Sequence, residues 1–275
     1  MLWTHAIEDS HRRGEPVVLV TVTAVRGHAP QAPGAKLVVS RSTTWGTVGG
    51  GNLEATAIDR ARELLLDADP AAQVSSLHAE LNEHAENTHG TQCCGGTVDL
   101  LLEVLPAPAA VAIFGMGHVG VELARLLSRH PLRLHLIDSR EQLLQDAGAE
   151  LRDPPVADLV WHHSPVPEVT LGELPHGCHV LIMTHDHAED AALCDAALRC
   201  GHLASIGMIG SSAKHRRFQQ RLREEGHSEQ QIDRIRTPIG DPQIAGKAPA
   251  IVAFSVASEL LVHILAKNPA EGRVR

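Results

Sequence analysis

The sequence predicts an α/β protein of two domains: an N-terminal α+β domain and a C-terminal Rossmann-like domain with a doubly wound parallel sheet. From residue 111 onward, short apolar segments alternate with helical patterns, the order that builds a parallel sheet. Before that point, β-branched segments precede and follow an amphipathic helical pattern at residues 52–67. The proline-containing stretch 106–110 predicts the boundary between domains 1–106 and 111–275.

Each domain has its own predicted series of elements. The N-terminal domain is expected to have helices at residues 3–13 and 52–67 and strands at residues 17–25, 36–40, 44–48, 74–78 and 97–104. The C-terminal domain is expected to have strands at residues 111–114, 132–137, 180–184 and 203–206 and helices at residues 119–129, 188–200, 211–226 and 248–266. Cys178, Cys194 and Cys200 fall within core elements and are interpreted as inert buried thiols.

Composition argues against several classes of protein. The 275 residues include 24 Lys and Arg against 33 Asp and Glu, which gives a net charge of −9 and disfavours nonspecific nucleic-acid binding. Polar residues interrupt the longest apolar stretch, residues 251–266, which is shorter than the roughly 20 residues that a membrane span needs. The first residues carry no signal-peptide pattern, and five cysteines, an odd number, do not indicate a complete set of disulfides. We therefore expect a cytoplasmic protein with reduced thiols and no membrane or nucleic-acid partner.

The first motif with chemical meaning is Gly115-Met-Gly-His-Val-Gly120, which follows an apolar strand and opens a helix. Gly115, Gly117 and Gly120 let a phosphate approach the backbone at a helix N-terminus. Asp138 ends the next predicted strand, 18 residues after Gly120, where an acid can accept a ribose hydroxyl. The pattern predicts a Rossmann unit, with NAD(P) binding and a fold retained without nucleotide as the two open alternatives.

A second glycine-rich segment, Gly46-Thr-Val-Gly-Gly-Gly-Asn-Leu-Glu54, precedes the helix of the N-terminal domain. Three consecutive glycines expose backbone N–H groups that suit a phosphate or the polar edge of a pterin. The alternative is a tight turn that needs only positive φ angles. The candidate cofactor-binding residues here are Gly49, Gly50, Gly51, Asn52 and Glu54.

Two further segments carry candidate ligand groups. In Gln92-Cys-Cys-Gly-Gly96 a thiolate beside Gly95 and Gly96 is a soft, uncrowded ligand, although free cysteines are commonly buried and inert. In Met183-Thr-His-Asp-His-Ala188, at the carboxyl end of a strand, His185 and His187 point to the same side of an extended chain. No third metal ligand has a defined spacing, so hydrogen bonding at the edge of a site is favoured over zinc.

Taken together and in this order, the motifs resemble those of the XdhC/CoxI family of accessory proteins, along nearly the whole chain. Within the family-like pattern Cys94, rather than Cys93, stands beside Gly95 and Gly96. The remaining matching segments are VTVTAVRGHAP at residues 20–30, PGAK at 33–36, GTVGGG at 46–51 with LE at 53–54, IFGMGHVG at 113–120, MTHDH at 183–187, IGMIGS at 206–211 and TPIG at 237–240.

The resemblance implies a function as well as a fold. It implies a homodimer that binds molybdenum cofactor of the molybdopterin type and protects it while a cysteine desulfurase supplies the terminal sulfur. The cofactor would then be inserted into the molybdenum subunit of apo xanthine dehydrogenase. Some relatives have cysteine where this chain has Asn52, so a thiol contact to molybdenum from that position is excluded and Cys94 becomes the candidate ligand.

Three functional hypotheses follow. A cofactor-delivery chaperone explains the glycine-rich turn together with Cys94. An NAD(P)-dependent oxidoreductase would use the Rossmann glycines and Asp138, with His185 as acid or base. A dimeric scaffold that docks onto xanthine dehydrogenase would need neither ligand. The first hypothesis uses the glycine-rich turn and the thiol without extra assumptions.

Overall fold

The computed structural model describes residues 2–66, 73–81, 95–151, 155–210 and 212–267. It divides into two compact units, Met1–Ala107 and Pro108–Arg275. Within the described part of the chain, no helix combines the length and the apolar character needed to cross a membrane.

The N-terminal unit is built on an antiparallel sheet. Its strands are β1 (Val17–Arg26), β2 (Lys36–Val39), β3 (Thr44–Gly46), β4 (Val74–Glu80) and β5 (Thr97–Leu105), in the order β3-β2-β1-β5-β4. Helix α1 (Trp3–Arg12) and helix α2 (Gly51–Leu66) complete the unit. Side chains alternate across β1: Val18 and Val20 pack in the core beneath α2, whereas Val17 packs with Ala6 of α1. The two helices therefore cover opposite faces of the sheet.

The C-terminal unit is built on a six-stranded parallel sheet. Its strands are β6 (Ala110–Phe114), β7 (Arg133–Asp138), β8 (Asp158–His163), β9 (His179–Ile182), β10 (Ser205–Met208) and β11 (Ile235–Arg236). Its helices are α3 (His118–Leu127), α4 (Glu141–Glu150), α5 (His187–Arg199), α6 (Ser212–Glu224), α7 (Glu229–Ile232) and α8 (Pro249–Lys267). The strand order β11-β10-β9-β6-β7-β8 reverses direction at β6, as in dinucleotide-binding folds.

Separate hydrophobic clusters cover the two faces of this sheet. One includes Leu193 of α5 and Phe218 of α6, and the other includes Leu123 of α3, Leu144 of α4 and Val256 of α8. Helices on both faces of a parallel sheet make the unit doubly wound, so the predicted fold class is confirmed.

The cysteines of this unit differ in burial. Cys178 and Cys194 are fully buried, as predicted, whereas Cys200 is only half-buried. Burial raises the pKa of the Cys178 thiol to about 12. Cys178 is therefore a packing residue in its protonated form.

Candidate functional site

The C-terminal unit has a cleft of about 920 Å³ at the point where its strand order reverses. Strands β6 and β9 are neighbours there, with Phe114 opposite Ile182 at their carboxyl ends. The segments that leave these two strands form part of the wall, as do the starts of α3 and α8. Open α/β sheets bind their ligands in such a crevice.

The motif from Gly115 to Gly120 is called the fingerprint here. Its three glycines, Gly115, Gly117 and Gly120, differ in whether the fold requires glycine at their positions. A Cβ on Gly115 would lie 2.6 Å from the Met183 carbonyl oxygen, and one on Gly120 would lie 2.0 Å from the Gly115 oxygen. At Gly117 no heavy atom of the described residues lies within 4 Å of that position, and the φ of −75° suits any residue. Packing therefore requires Gly115 and Gly120, whereas the fold itself gives Gly117 no reason to lack a side chain.

Two helices begin at this cleft. Gly117 caps α3 without any side-chain hydrogen bond to the first turn, and the first turns of α3 and α8 contain no acidic residue. His118 of α3 and Pro249 of α8 both line the cleft. The N-terminal N–H groups and dipole of a helix attract an anion, and no acidic side chain of either first turn competes for that position.

Asp138 lies at the end of β7, with its side chain only 2% exposed. Its Oδ2 accepts hydrogen bonds from the Met116 N–H at 2.7 Å and from Arg140 Nη2 at 3.0 Å. Its Oδ1 accepts from the backbone N–H and from the Nε of Arg140, both at 2.9 Å. Burial alone would raise the pKa of Asp138, but the bonds from Arg140 and Met116 outweigh it and lower that pKa. The carboxylate thus holds the glycine loop and orients Arg140.

The structure separates the two histidines of the predicted pair. His185 lines the cleft, whereas His187 is the first residue of α5 and is not part of the cleft wall. Asp186 between them caps α5 and accepts from the N–H groups of Ala188 and Glu189 at 2.6 and 3.4 Å. Among the described residues, no group of three His, Cys, Asp or Glu side chains is arranged to hold a metal ion.

Arg140 and the start of α8 are cleft features that the sequence reasoning missed. A basic residue two positions after the strand-ending acid was a signal available in the sequence, because this position can reach a phosphate on the ribose. The start of α8 had no such signal. It lies more than 100 residues from the fingerprint, and only the fold brings the two together.

In the N-terminal unit, the carboxylate of Glu54 occupies the glycine-rich turn. Its Oε2 accepts hydrogen bonds from the Val48 N–H at 3.1 Å, from the Gly50 N–H at 3.2 Å and from the Thr47 hydroxyl. Gly49, Gly50 and Gly51 have φ angles of +136°, +71° and +58°, so the turn requires glycine for its backbone conformation. Glu54 therefore fixes the turn in this structure, and its contact with a cofactor stays a prediction.

The loop after β1 contacts two of the predicted glycine segments. A Cβ on Gly49 would lie 3.1 Å from the ring of Pro30, and one on Gly96 would lie 2.2 Å from the carbonyl oxygen of His28. The backbone of Leu81 also binds these glycines: it accepts from the Gly95 N–H at 2.7 Å and donates to the Gly96 carbonyl at 2.8 Å. Three segments that are distant in sequence thus meet around residues 28–30.

The remaining predicted residues of the N-terminal unit have different positions. Asn52 is 6% exposed and so presents little surface to a ligand. Gly50 and Gly95 have open space where a side chain would lie, because no described heavy atom comes within 4 Å of that point. The predicted molybdenum ligand Cys94 and its neighbour Cys93 lie outside the described residues.

Fold and site together define a two-unit α/β protein with a Rossmann unit at its C-terminus. Residues 111–260 match the family model described as the XdhC Rossmann domain, and residues 10–75 match that of the XdhC and CoxI family. The first match alone covers more than half of the chain. The chain belongs to the XdhC/CoxI family, as the sequence motifs predicted.

Two individual proteins are similar along most of the chain. The uncharacterized protein YqeB of Escherichia coli K12 is 26% identical over 257 residues, which are 94% of this chain but only 44% of YqeB. A crystal structure described as a xanthine dehydrogenase from Bacillus halodurans has 17% identity and a TM-score of 0.47, with 95% of each chain covered.

Proposed function

We propose that this protein is a molybdenum cofactor chaperone, which binds the cofactor during its sulfuration and inserts it into apo xanthine dehydrogenase. Membership of the XdhC/CoxI family supports a maturation role rather than turnover of a metabolite. The observation that carries the proposal is the meeting of three glycine-bearing segments around residues 28–30.

The residues 28–30, 49–51 and 95–96, which meet here, suit the planar ring and the dithiolene of a pterin cofactor. No atom of the described residues lies within 4 Å of the side-chain position of Gly50 or Gly95, so a planar ring can approach these peptide groups closely. Cys94 directly precedes Gly95 in the sequence, and a thiolate is a soft ligand matched to molybdenum. Glu54 already accepts from Val48 and Gly50, so we assign it to shaping the turn.

The test is retention of molybdopterin by the purified protein, measured by fluorescence after oxidation. Ala at Gly50 would project its methyl group into the open space and should lose most of the retained pterin. Ala at Gly177 is the matched control: its φ is +77° and its surroundings are equally open, but it lies in the other unit. Both substitutions place alanine in the left-handed region of backbone angles, and each should therefore destabilise the protein by about 1–2 kcal/mol.

Because both variants carry the same backbone strain, a difference in retention between them reports lost binding of the pterin at Gly50. Molybdopterin retention should fall for Gly50→Ala and stay at the wild-type level for Gly177→Ala. Equal retention by both variants would remove the glycine turn from the site. Failure of the wild-type protein to retain any pterin, when produced with the cofactor pathway active, would contradict the proposal itself.

The proposal includes partners and a compartment. The chaperone would act as a cytoplasmic homodimer that holds the cofactor while a cysteine desulfurase supplies its terminal sulfur, and that docks on the molybdenum subunit of xanthine dehydrogenase. Co-purification of each enzyme with the tagged protein, and light scattering for its mass, test these three associations separately.

The competing function is that of an NAD(P)-dependent oxidoreductase. The strand order and the open position at Gly117 favour a nucleotide site, but they supply no reaction. His185, the proposed acid or base, lines the cleft. Bound NAD(P)H that is oxidised by a small-molecule substrate, followed by absorbance at 340 nm, would favour this alternative.

A further inference from the structure

The fold explains why two of the fingerprint glycines are glycine, but it does not explain the third. Alanine at Gly117 would meet no described atom within 4 Å and would need no unusual backbone angle. The open space at Gly117 belongs to the 920 Å³ cleft, beside the uncapped start of α3. A phosphate group that approaches the backbone at this point accounts for the missing side chain.

Asp138 is not available as the ribose acceptor that an NAD site needs. A carboxylate has about four lone-pair positions, and four N–H groups already donate to Asp138, at 2.7 to 3.0 Å. With 2% of the side chain exposed, a ribose hydroxyl would have to displace Arg140 or the Met116 N–H to reach it. The NAD interpretation of Asp138 is therefore unfavourable in this structure.

Arg140 is the group that this arrangement presents to a ligand. Its side chain is 38% exposed and lines the cleft, and the bonds from Nε and Nη2 to Asp138 fix the plane of the guanidinium. No described residue accepts a hydrogen bond from its Nη1. A fixed guanidinium with free N–H groups is well suited to bind a phosphate.

Acidic side chains of the cleft wall have partners other than Arg140, and among them Asp146 accepts from the Gln142 amide at 2.9 Å. Glu122 and Glu150, which also line the cleft, both pair with Arg125, at 2.5 and 2.9 Å. Glu189 accepts from the Ser139 hydroxyl at 3.1 Å, and burial raises the pKa of Glu189. These contacts leave Arg140 as the charged group best placed to contact a ligand at the end of β7.

We propose that the Rossmann cleft binds a dinucleotide with a phosphate on its adenosine ribose, such as NADPH, and that Arg140 selects it over NADH. The pyrophosphate lies at the start of α3 beside Gly117, and the ribose phosphate contacts Arg140. Asp138 acts as a positioning residue that orients Arg140. The proposal is independent of cofactor delivery by the N-terminal unit.

Titration calorimetry of the full-length protein with NADPH and with NADH tests this specificity. One or two charge-assisted hydrogen bonds to the ribose phosphate should make NADPH bind at least about ten-fold more tightly. Arg140→Gln should remove most of that preference by weakening NADPH, while the affinity for NADH stays within about three-fold. 2′,5′-ADP should compete with NADPH better than 5′-ADP does.

A second pair of variants tests the phosphate position at Gly117. Gly117→Ala should weaken both nucleotides by at least about ten-fold, because the methyl group occupies the approach of the pyrophosphate. Gly201→Ala is the control: its surroundings are equally open, but it precedes β10 and so lies at the opposite edge of the sheet. Circular dichroism should show both variants folded, and Gly201→Ala should bind as the wild type does.

Several results would overturn the proposal. Equal affinity for NADPH and NADH would remove Arg140 as the selecting residue. Absence of saturable binding at millimolar NADPH, or displacement of NADPH by inorganic phosphate as effectively as by 2′,5′-ADP, would mean that the cleft is not a dinucleotide site. None of these results changes the molybdopterin retention measured with Gly50→Ala, so the two proposals fail separately.

Discussion

Replacing Asp138 with asparagine tests whether this carboxylate holds the Rossmann unit together, whatever ligand the cleft takes. Asparagine has nearly the same size but loses the charge, and its amide nitrogen cannot accept from Arg140 or Met116. Breaking a buried ion pair costs about 3–5 kcal/mol. Because Arg140 is 38% exposed and can be rehydrated, we expect Asp138→Asn to lower the free energy of unfolding by about 2–3 kcal/mol.

The pH dependence of this difference follows from the lowered pKa of Asp138. The stabilisation should be fully present above the unfolded pKa of about 3.9 and should be lost only as the pH falls through the lower folded pKa. The gap between wild type and Asp138→Asn should therefore be constant between about pH 8 and pH 5. A gap between the two proteins that widens as the pH falls from 8 to 5 would show that the folded pKa of Asp138 is raised instead.

Urea unfolding followed by tryptophan fluorescence measures the effect on the Rossmann unit. Trp161 on β8 is the only tryptophan of that unit, so a background with Trp3→Phe and Trp45→Phe isolates its signal. Asp158→Asn is the matched control: its side chain is 62% exposed and pairs with Arg133 at 3.1 Å, and such pairs contribute at most about 1 kcal/mol. A loss for Asp138→Asn no larger than that of the control would refute the reasoning.

Three further predictions concern other residues. Glu54→Gln should destabilise the N-terminal unit by about 1 kcal/mol in thermal unfolding, because it removes the carboxylate that caps the turn before α2. Glu63→Gln, near the exposed end of that helix, is the control and should destabilise the unit by less than about 0.5 kcal/mol. Cys94→Ser should lower the molybdenum content and xanthine oxidation of a co-expressed xanthine dehydrogenase more than Cys93→Ser does, and the reverse order would identify Cys93 as the ligand. Cys178 should resist iodoacetamide at pH 8 until urea unfolds the protein, since its burial raises its pKa to about 12; labelling of the native protein, located by mass spectrometry, would contradict this.

The sequence predicted most elements of the C-terminal unit but missed β8, β11, α4 and α7, and for β8 and α4 the physical reasons are visible in the structure. β8 is an edge strand, and its polar residues Asp158, His162 and His163 obscure the apolar alternation. α4 buries only Leu144 and Ala147 and contains a glycine, so its apolar stripe is too narrow to stand out. Both elements are defined by their packing on β7 rather than by their own pattern.

Local sequence did determine the fold class and the fingerprint of the C-terminal unit. Apolar periodicity reports which side of an element is buried, and glycine reports where the backbone needs space or a positive φ, so both are visible within a short window. For the same reason the motifs alone are sufficient to place the chain in its family. The burial of Cys178 and Cys194 followed from their positions in core elements.

The roles within each site depended on atoms that only the tertiary structure brings together. The sequence suggested that Asp138 and the Gly49–Gly51 turn both face ligands. A sequence shows that a carboxylate or a set of backbone N–H groups is present, but not whether other groups of the protein already hydrogen-bond to it. In the structure Met116 and Arg140 donate hydrogen bonds to Asp138, and Glu54 accepts hydrogen bonds from the glycine turn. Most of the hydrogen-bonding capacity of Asp138 and of the turn is therefore used within the protein. Whether a polar group is free for a ligand depends on its neighbours in space, and that was decided by the fold.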